Sequence, residues 1–139
     1  MKTPTIVFFG TPEFSTVILD ELAAAGYTPA LIVTAPDAPA GRGQVLTPSP
    51  VTVWAEDADI PDLTTTTLHT DPELGALHNT EWDLFIVASY GKILPADILT
   101  LPKHGTLNVH PSLLPKFRGA SPVRSAILTD ARETGVTIM

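Results

Sequence analysis

Thr5-Ile6-Val7-Phe8-Phe9-Gly10-Thr11-Pro12 decides the fold. A continuous apolar and β-branched run cut off by a glycine suits a parallel strand buried on both faces. Thr11 then offers an N-cap, and Pro12 a first-turn proline whose φ is already set for a helix. Phe14, Val17, Ile18, Leu22 and Ala25 recur at helical spacing, and Gly26 supplies a C-terminal stop. Ala30-Leu31-Ile32-Val33-Thr34 is a second apolar strand. Strand, helix and strand within about 30 residues is the signature of a parallel α/β sheet. The same turn argues against one class of ligand. Gly10-Thr11-Pro12-Glu13-Phe14 has one glycine where a dinucleotide-binding turn carries several, and Pro12 and Glu13 oppose close approach of a pyrophosphate. The reading is a Rossmann-like sheet without a nicotinamide or flavin dinucleotide.

Further along, Asp83-Leu84-Phe85-Ile86-Val87-Ala88-Ser89-Tyr90 is the strongest core strand and stops at Gly91. Ile93-Leu94-Pro95 follows as an apolar loop before a short helix from Ala96 to Leu99. Thr106-Leu107-Asn108-Val109-His110 again has strand character, ended by Pro111, which cannot donate to a sheet ladder. Side chains alternate along a strand, so Asn108 and His110 share a face at the C-terminal end of the strand. Open α/β sheets keep their binding crevices at that end. Two readings stand side by side: two satisfied polar residues at a sheet edge, or an amide and an imidazole aimed at a ligand. If the two strands are neighbours, the loop after Tyr90 and the pair Leu113-Leu114 wall one cleft. Such walls suit a flat, hydrogen-bonding heterocycle, or else are simple loop packing. Lys116, Arg118 and Arg124 bring positive charge to the same corner.

Composition bounds the rest. The 139 residues make one domain, and 44% apolar content suffices for a core. A net charge of -7 excludes a protein that grips nucleic acid over its whole surface but leaves room for a local basic patch. With no cysteine there is neither a disulfide nor a thiol nucleophile, which agrees with a reducing cytoplasm. No leader pattern and no run of about 18 apolar residues is present, so a soluble protein away from membranes is expected. Ala35 to Pro50 reads as one long, mobile loop, of the kind that is usually functional. Arg42 sits in it between Gly41 and Gly43, either reaching out to a ligand or simply solvated. Ser49 and Pro50 cap a short helix with Val51, Trp54, Ala55 and Ala58 on its apolar side. Leu63 to Leu68 is β-prone, and Asp71-Pro72-Glu73 starts another helix. His69 and His78 lack metal-ligand spacing, and no metal is expected. Ser121-Pro122 opens a helix through Leu128. Gly135 to Met139 reads as the opening of a strand at which the chain stops in mid-element, which predicts an incomplete domain.

Several of these stretches belong together: Phe9-Gly10-Thr11-Pro12-Glu13-Phe14, Pro36-Asp37 with Pro39-Ala40-Gly41-Arg42-Gly43, and Thr47-Pro48-Ser49-Pro50-Val51. So do Ala88-Ser89-Tyr90-Gly91 with Ile93-Leu94-Pro95, Asn108-Val109-His110-Pro111-Ser112-Leu113-Leu114-Pro115, and Arg118-Gly119-Ala120-Ser121-Pro122. With them the chain resembles the N-terminal part of the folate-dependent formyltransferases. The block from Asn108 to Pro122 is common to that family, and the Gly41-Arg42-Gly43 loop points to its tRNA-directed branch.

The resemblance implies a Rossmann-like, mostly parallel sheet flanked by helices. Residues 1–139 would be an incomplete N-terminal catalytic domain, lacking the family's C-terminal β-barrel. It implies transfer of a formyl group from 10-formyltetrahydrofolate to the α-amine of initiator methionyl-tRNA, in translation initiation, without a metal. Asn108 and His110 match the catalytic Asn and His. Ser112, Leu113, Leu114 and Pro115, with Tyr90, Gly91, Ile93 and Leu94, match the folate site, and Arg42 matches a residue that engages the tRNA acceptor stem. The donor chemistry suits these types: Asn108 can donate to the developing oxyanion, and His110 can relay a proton toward N10. The family's catalytic Asp follows the strand at Gly135–Met139, so a weakly active or inactive fragment is expected. The full-length family enzyme would be monomeric, and an unpaired edge strand would let the truncated chain self-associate. Two other readings remain: a folate-dependent formyltransferase acting on a small or sugar-linked amine, and a non-catalytic folate- or partner-binding fragment.

Overall fold

A computed structural model describes residues 2–68 and 72–139. The chain runs β1 (Ile6–Gly10), α1 (Glu13–Ala24), β2 (Leu31–Thr34), β3 (Ala38–Ala40), β4 (Val45–Thr47), α2 (Pro50–Asp57) and β5 (Asp62–Thr64). A 3-10 turn over Pro72–Leu74 leads into α3 (Gly75–His78). Then come β6 (Leu84–Ala88), α4 (Ala96–Leu99), β7 (Thr106–His110), α5 (Pro122–Leu128) and β8 (Thr137–Ile138). Six strands form one sheet in the order β5-β2-β1-β6-β7-β8, parallel except for β8, which is antiparallel to β7. The chain builds outward from β1 to β5, then crosses back to β6 and builds the other way. This is the doubly wound order, with its switch point between β1 and β6.

Alternation along the buried strands divides the core in two. Ile6, Phe8, Ile32 and Ile86 face Leu19 of α1 and Val51 and Ala55 of α2. Val7, Phe9, Val33 and Phe85 face Leu74, Leu77, Trp82 and Ile98 on the opposite side. Helices on both faces are what an all-buried central strand such as β1 requires. Among the described residues no helix is long and apolar enough to cross a membrane.

Four local expectations change. Thr11 does not cap α1: Pro12 stands at the N-cap with no side-chain acceptor, and the Thr11 hydroxyl is used elsewhere. The buried stripe of α1 is Ser15 and Leu19, supported by the half-buried Ile18 and Leu22, whereas Val17 is 52% exposed. Gly26 does end the helix, at φ 85, with its N–H on Ala23 O and the Tyr27 N–H on Leu22 O. The stretch from Ala35 to Pro50 is not an open loop. β3 and β4 pair as a hairpin in the register Ala38↔Thr47 and Ala40↔Val45. Gly41 at φ 69 reverses the chain there, and Gln44 donates to the Gly41 carbonyl from both its backbone and its side chain. Helix α2 forms as read, with Ser49 Oγ at its N-cap accepting from Thr52 N–H at 3.0 Å, but Thr52 rather than Ala58 completes its buried side. His78 is exposed, while His69 and Asp71 lie outside the described residues.

Two polar groups next to the core set its response to pH. At the start of β1, Thr5 N–H and Oγ1 donate to Asp83 Oδ2 at 2.8 and 3.0 Å, tying β1 to the residue before β6. These bonds, the backbone one first, hold the Asp83 carboxyl below its ordinary 3.8. The ionised form is favoured in the fold, so its contribution is complete above 3.8 and fades as pH falls through the lower folded-state value. Acid titration of unfolding is expected to show this loss, and Asp83→Asn to remove it. Tyr90 is 3% exposed, lies edge-on to Phe9 at 5.7 Å, and has a hydroxyl with no partner among the described residues. Burial pushes its phenol up from 10.0 to about 12. The protonated form is favoured in the fold, so stability should fall as pH rises from 10.0 to about 12. Tyr90→Phe deletes an unsatisfied group and should raise unfolding stability in urea by about 1 kcal/mol at neutral pH while abolishing that alkaline loss.

Candidate active site

The register of β6 on β7 places Val87 opposite Asn108. Beyond it β6 runs into the turn Ser89-Tyr90-Gly91, where Ser89 at φ 55 and Gly91 at φ 82 swing the backbone away from the sheet. A cleft of about 810 Å³ opens where the two strands end. Tyr90, Gly91, Ile93 and Leu94 line it on one side, and Asn108 and His110 on the other. Gly119, Ala120 and Pro122 close it from the start of α5. The volume and largely apolar walls fit a bicyclic heterocycle with a short tail.

This cleft lies one strand away from the switch point, and the local bonding explains the displacement. Between β1 and β6, Ser15 Oγ donates to Ala88 O at 2.5 Å and Thr11 N–H to Ser89 O at 3.2 Å. Thr11 Oγ1 donates to Tyr90 O and accepts from Ala35 N–H, each at 3.4 Å. A Cβ on Gly10 would stand 2.7 Å from Ser15 and from the Phe8 ring, so α1 sits too close for any side chain there. The protein's own hydroxyls fill the crevice that a Rossmann fold would give to a pyrophosphate.

The two polar residues of β7 differ in their bonding. The backbone of Asn108 pairs with Met139 in both directions, at 2.7 and 3.0 Å. No hydrogen bond among the described residues engages its carboxamide, which leaves the N–H₂ free to donate into the cleft. His110 Nε2 lies 3.0 Å from Phe117 O. A carbonyl only accepts, so Nε2 carries a proton and Nδ1 is the ring atom left to take one.

The other expected residues lie off this lining. Ser112 is fully buried, and its hydroxyl donates to Lys116 O at 2.7 Å. Leu113 lies over Gly135, where a Cβ would come within 2.6 Å of its Cδ2. Leu114 N–H donates to Thr137 Oγ1 at 3.1 Å, and a cis peptide joins Leu114 to Pro115. Arg42 is at the exposed tip of the β3–β4 hairpin, and Lys116, Arg118 and Arg124 are exposed without lining the cleft. Lys92 was not singled out by sequence. It lines the cleft and its Nζ donates to Thr65 O at 3.0 Å and to Thr66 O, joining the turn after β6 to the segment after β5. A lysine following a Tyr-Gly turn carries no pattern that separates it from a solvated one. Among the described residues no group of acidic, histidine or cysteine side chains could hold a metal.

Comparison with known proteins is consistent with this geometry. Methionyl-tRNA formyltransferase of Halalkalibacterium halodurans is 51% identical over 134 residues, covering 96% of this chain and 42% of that protein. The protein of the same name from Thermotoga neapolitana is 47% identical over 133 residues, with 96% and 42% covered. The chain thus spans less than half the length of the curated relatives it matches. Among solved structures, glycinamide ribonucleotide transformylase 1 from Geobacillus kaustophilus has a TM-score of 0.72 at 22% identity, covering 99% of this chain and 73% of that one. A sugar N-formyltransferase from Shewanella sp FDAARGOS_354 has a TM-score of 0.59 at 13% identity, covering 97% and 50%. At such identities the likeness is one of fold. The family described as formyl transferase matches residues 4–139, which hold every element from β1 to β8 and the cleft at the ends of β6 and β7, and the chain belongs to that family.

Proposed function

We propose that residues 1–139 act as the formyl-transferring N-terminal domain of an enzyme that moves a formyl group from 10-formyltetrahydrofolate to the α-amine of initiator methionyl-tRNA. The observation that carries this reading is the unengaged Asn108 carboxamide beside the His110 imidazole in one heterocycle-sized cleft. The names and 51% and 47% identities of the relatives support the choice of acceptor.

The folate supplies an activated formyl carbon on N10, and the acceptor amine forms a bond to that carbon as the bond to N10 breaks. Asn108 donates its amide hydrogen bond to the formyl oxygen as negative charge gathers there. A donor aimed at such charge is worth about 3 kcal/mol. His110 keeps its Nε2 proton on Phe117 O and uses Nδ1 to take the proton leaving the amine and return it to N10. Tyr90, Gly91, Ile93 and Leu94 hold the pterin, and the segment Ser112–Pro115 frames the site behind His110. Arg42, at the tip of the hairpin, meets the phosphates of the acceptor stem as a local cationic contact on an otherwise acidic chain. The reaction belongs to the cytoplasm. β8 stands at the sheet margin, and its outer flank offers a second copy a strand to pair with.

Calorimetry with a stable 10-formyltetrahydrofolate analogue should give saturable heat, and its absence would refute the reading. Residues 1–139 alone should transfer weakly or not at all, and in single-turnover transfer to charged initiator tRNA by the enzyme that contains this domain, Asn108→Ala should slow the reaction by about 10²- to 10³-fold while leaving analogue binding in place. Arg42→Ala should weaken use of tRNA and leave analogue binding unchanged. Equal transfer to tRNA by that variant would remove Arg42 from the contact, whereas turnover of a small or sugar-linked amine that the variant leaves untouched would point to that amine as the acceptor.

A further inference from the structure

The segment from Pro111 to Phe117 links β7 to the approach of α5, and it is held far more tightly than a connection requires. Ser112 N–H donates to His110 O at 2.8 Å, and its fully buried hydroxyl donates to Lys116 O at 2.7 Å. Lys116 N–H donates to Leu113 O at 3.1 Å. From β8, Thr137 Oγ1 donates to Ser112 O at 2.6 Å and accepts from Leu114 N–H at 3.1 Å. The next residue, Phe117, sits at φ 57, a left-handed conformation that a bulky residue adopts only when its surroundings impose it. That conformation turns the Phe117 carbonyl onto His110 Nε2.

We infer that the hydroxyls of Ser112 and Thr137 are positioning groups for His110: they fold the segment so that the Phe117 carbonyl fixes the imidazole in its Nε2–H tautomer with Nδ1 free. Each hydroxyl takes hold of a different part of the loop. Ser112 captures the carbonyl immediately before Phe117, and Thr137 clips the beginning of the loop to the sheet. If either is removed, a carbonyl or amide of the loop loses its partner, and the peptide at Phe117 is free to leave the left-handed region. The ring then has no fixed acceptor and exchanges between tautomers and orientations. Ser112 on this account acts through the loop and not by touching the folate. The meaning of this for turnover rests on the formyl-transfer reading, but the positioning itself does not.

The test is nitrogen NMR of the histidine rings in the 139-residue chain, compared among wild type, Ser112→Ala, Thr137→Val and Thr137→Ser. Wild type should show His110 as a single Nε2–H tautomer with a protected ring proton. Ser112→Ala and Thr137→Val should mix the tautomers and speed exchange of that proton roughly tenfold, the size of one released hydrogen bond. Thr137→Ser, which keeps the hydroxyl, should restore the wild-type signal. Valine has the shape of threonine, so Thr137→Val keeps the test open even where Ser112→Ala fails to fold. A Thr137→Val ring indistinguishable from wild type overturns the inference, as does a wild-type ring protonated on Nδ1 alone. Analogue calorimetry on the same samples separates the two claims. Absent heat in wild type with the tautomer pattern intact strikes the functional reading and leaves the positioning standing. Normal heat with unchanged ring spectra in every variant does the reverse.

Discussion

The parallel pairing of β6 with β7, Val87 against Asn108, is the constraint on which the cleft depends. That register brings the turn after one strand level with the polar end of the other, so apolar walls and an amide–imidazole pair meet without any long-range loop. A slip of one residue would exchange the faces, turning Leu107 and Val109 where Asn108 and His110 now lie. Burial enforces the register. Phe85 and Ala88 are fully enclosed and Ile86 nearly so, and none of these could face water without loss of core contact.

A second consequence of sheet order is the location of the cleft itself. Doubly wound sheets bind at the switch point because neighbouring connections part there. Here the parting exists between β1 and β6, but Thr11 and Ser15 bridge it to three successive carbonyls, and the bare Gly10 lets α1 come close enough for them to do so. The opening moves to the next pair of strands. The bonds from Thr11 and Ser15, with the close packing that Gly10 permits, thus close the crevice that a dinucleotide fold of the same topology keeps open.

What could be read from sequence follows the reach of the forces involved. Runs such as Ile6–Gly10 and Leu84–Ala88 declare themselves because an all-buried strand has no alternative composition, and the limits of Ala96–Leu99 and Thr106–His110 are set by prolines and a glycine near them. The alternation that puts Asn108 and His110 on one side is likewise local. The use of Thr11 was illegible, since a cap three residues away and a carbonyl 79 residues away compete for the same hydroxyl. The bonding of Ser112 was illegible for the same reason: its neighbourhood in the chain resembles a cleft lining, while its hydroxyl's partner, the Lys116 carbonyl, is fixed by how the loop closes. The hairpin over Ala38–Thr47 escaped because its prolines and glycines carry the composition of an irregular segment, and its pairing involves no hydrophobic face to give a period.

That hairpin has a further implication. All six of its strand residues are exposed, so nothing in either half of the core relies on their identity. Its sequence is thereby released from the selection that packing exerts on the sheet, and insertions or charge reversals there leave the scaffold undisturbed. A chain built on this plan can vary that protruding arm without disturbing the sheet that frames the cleft between β6 and β7.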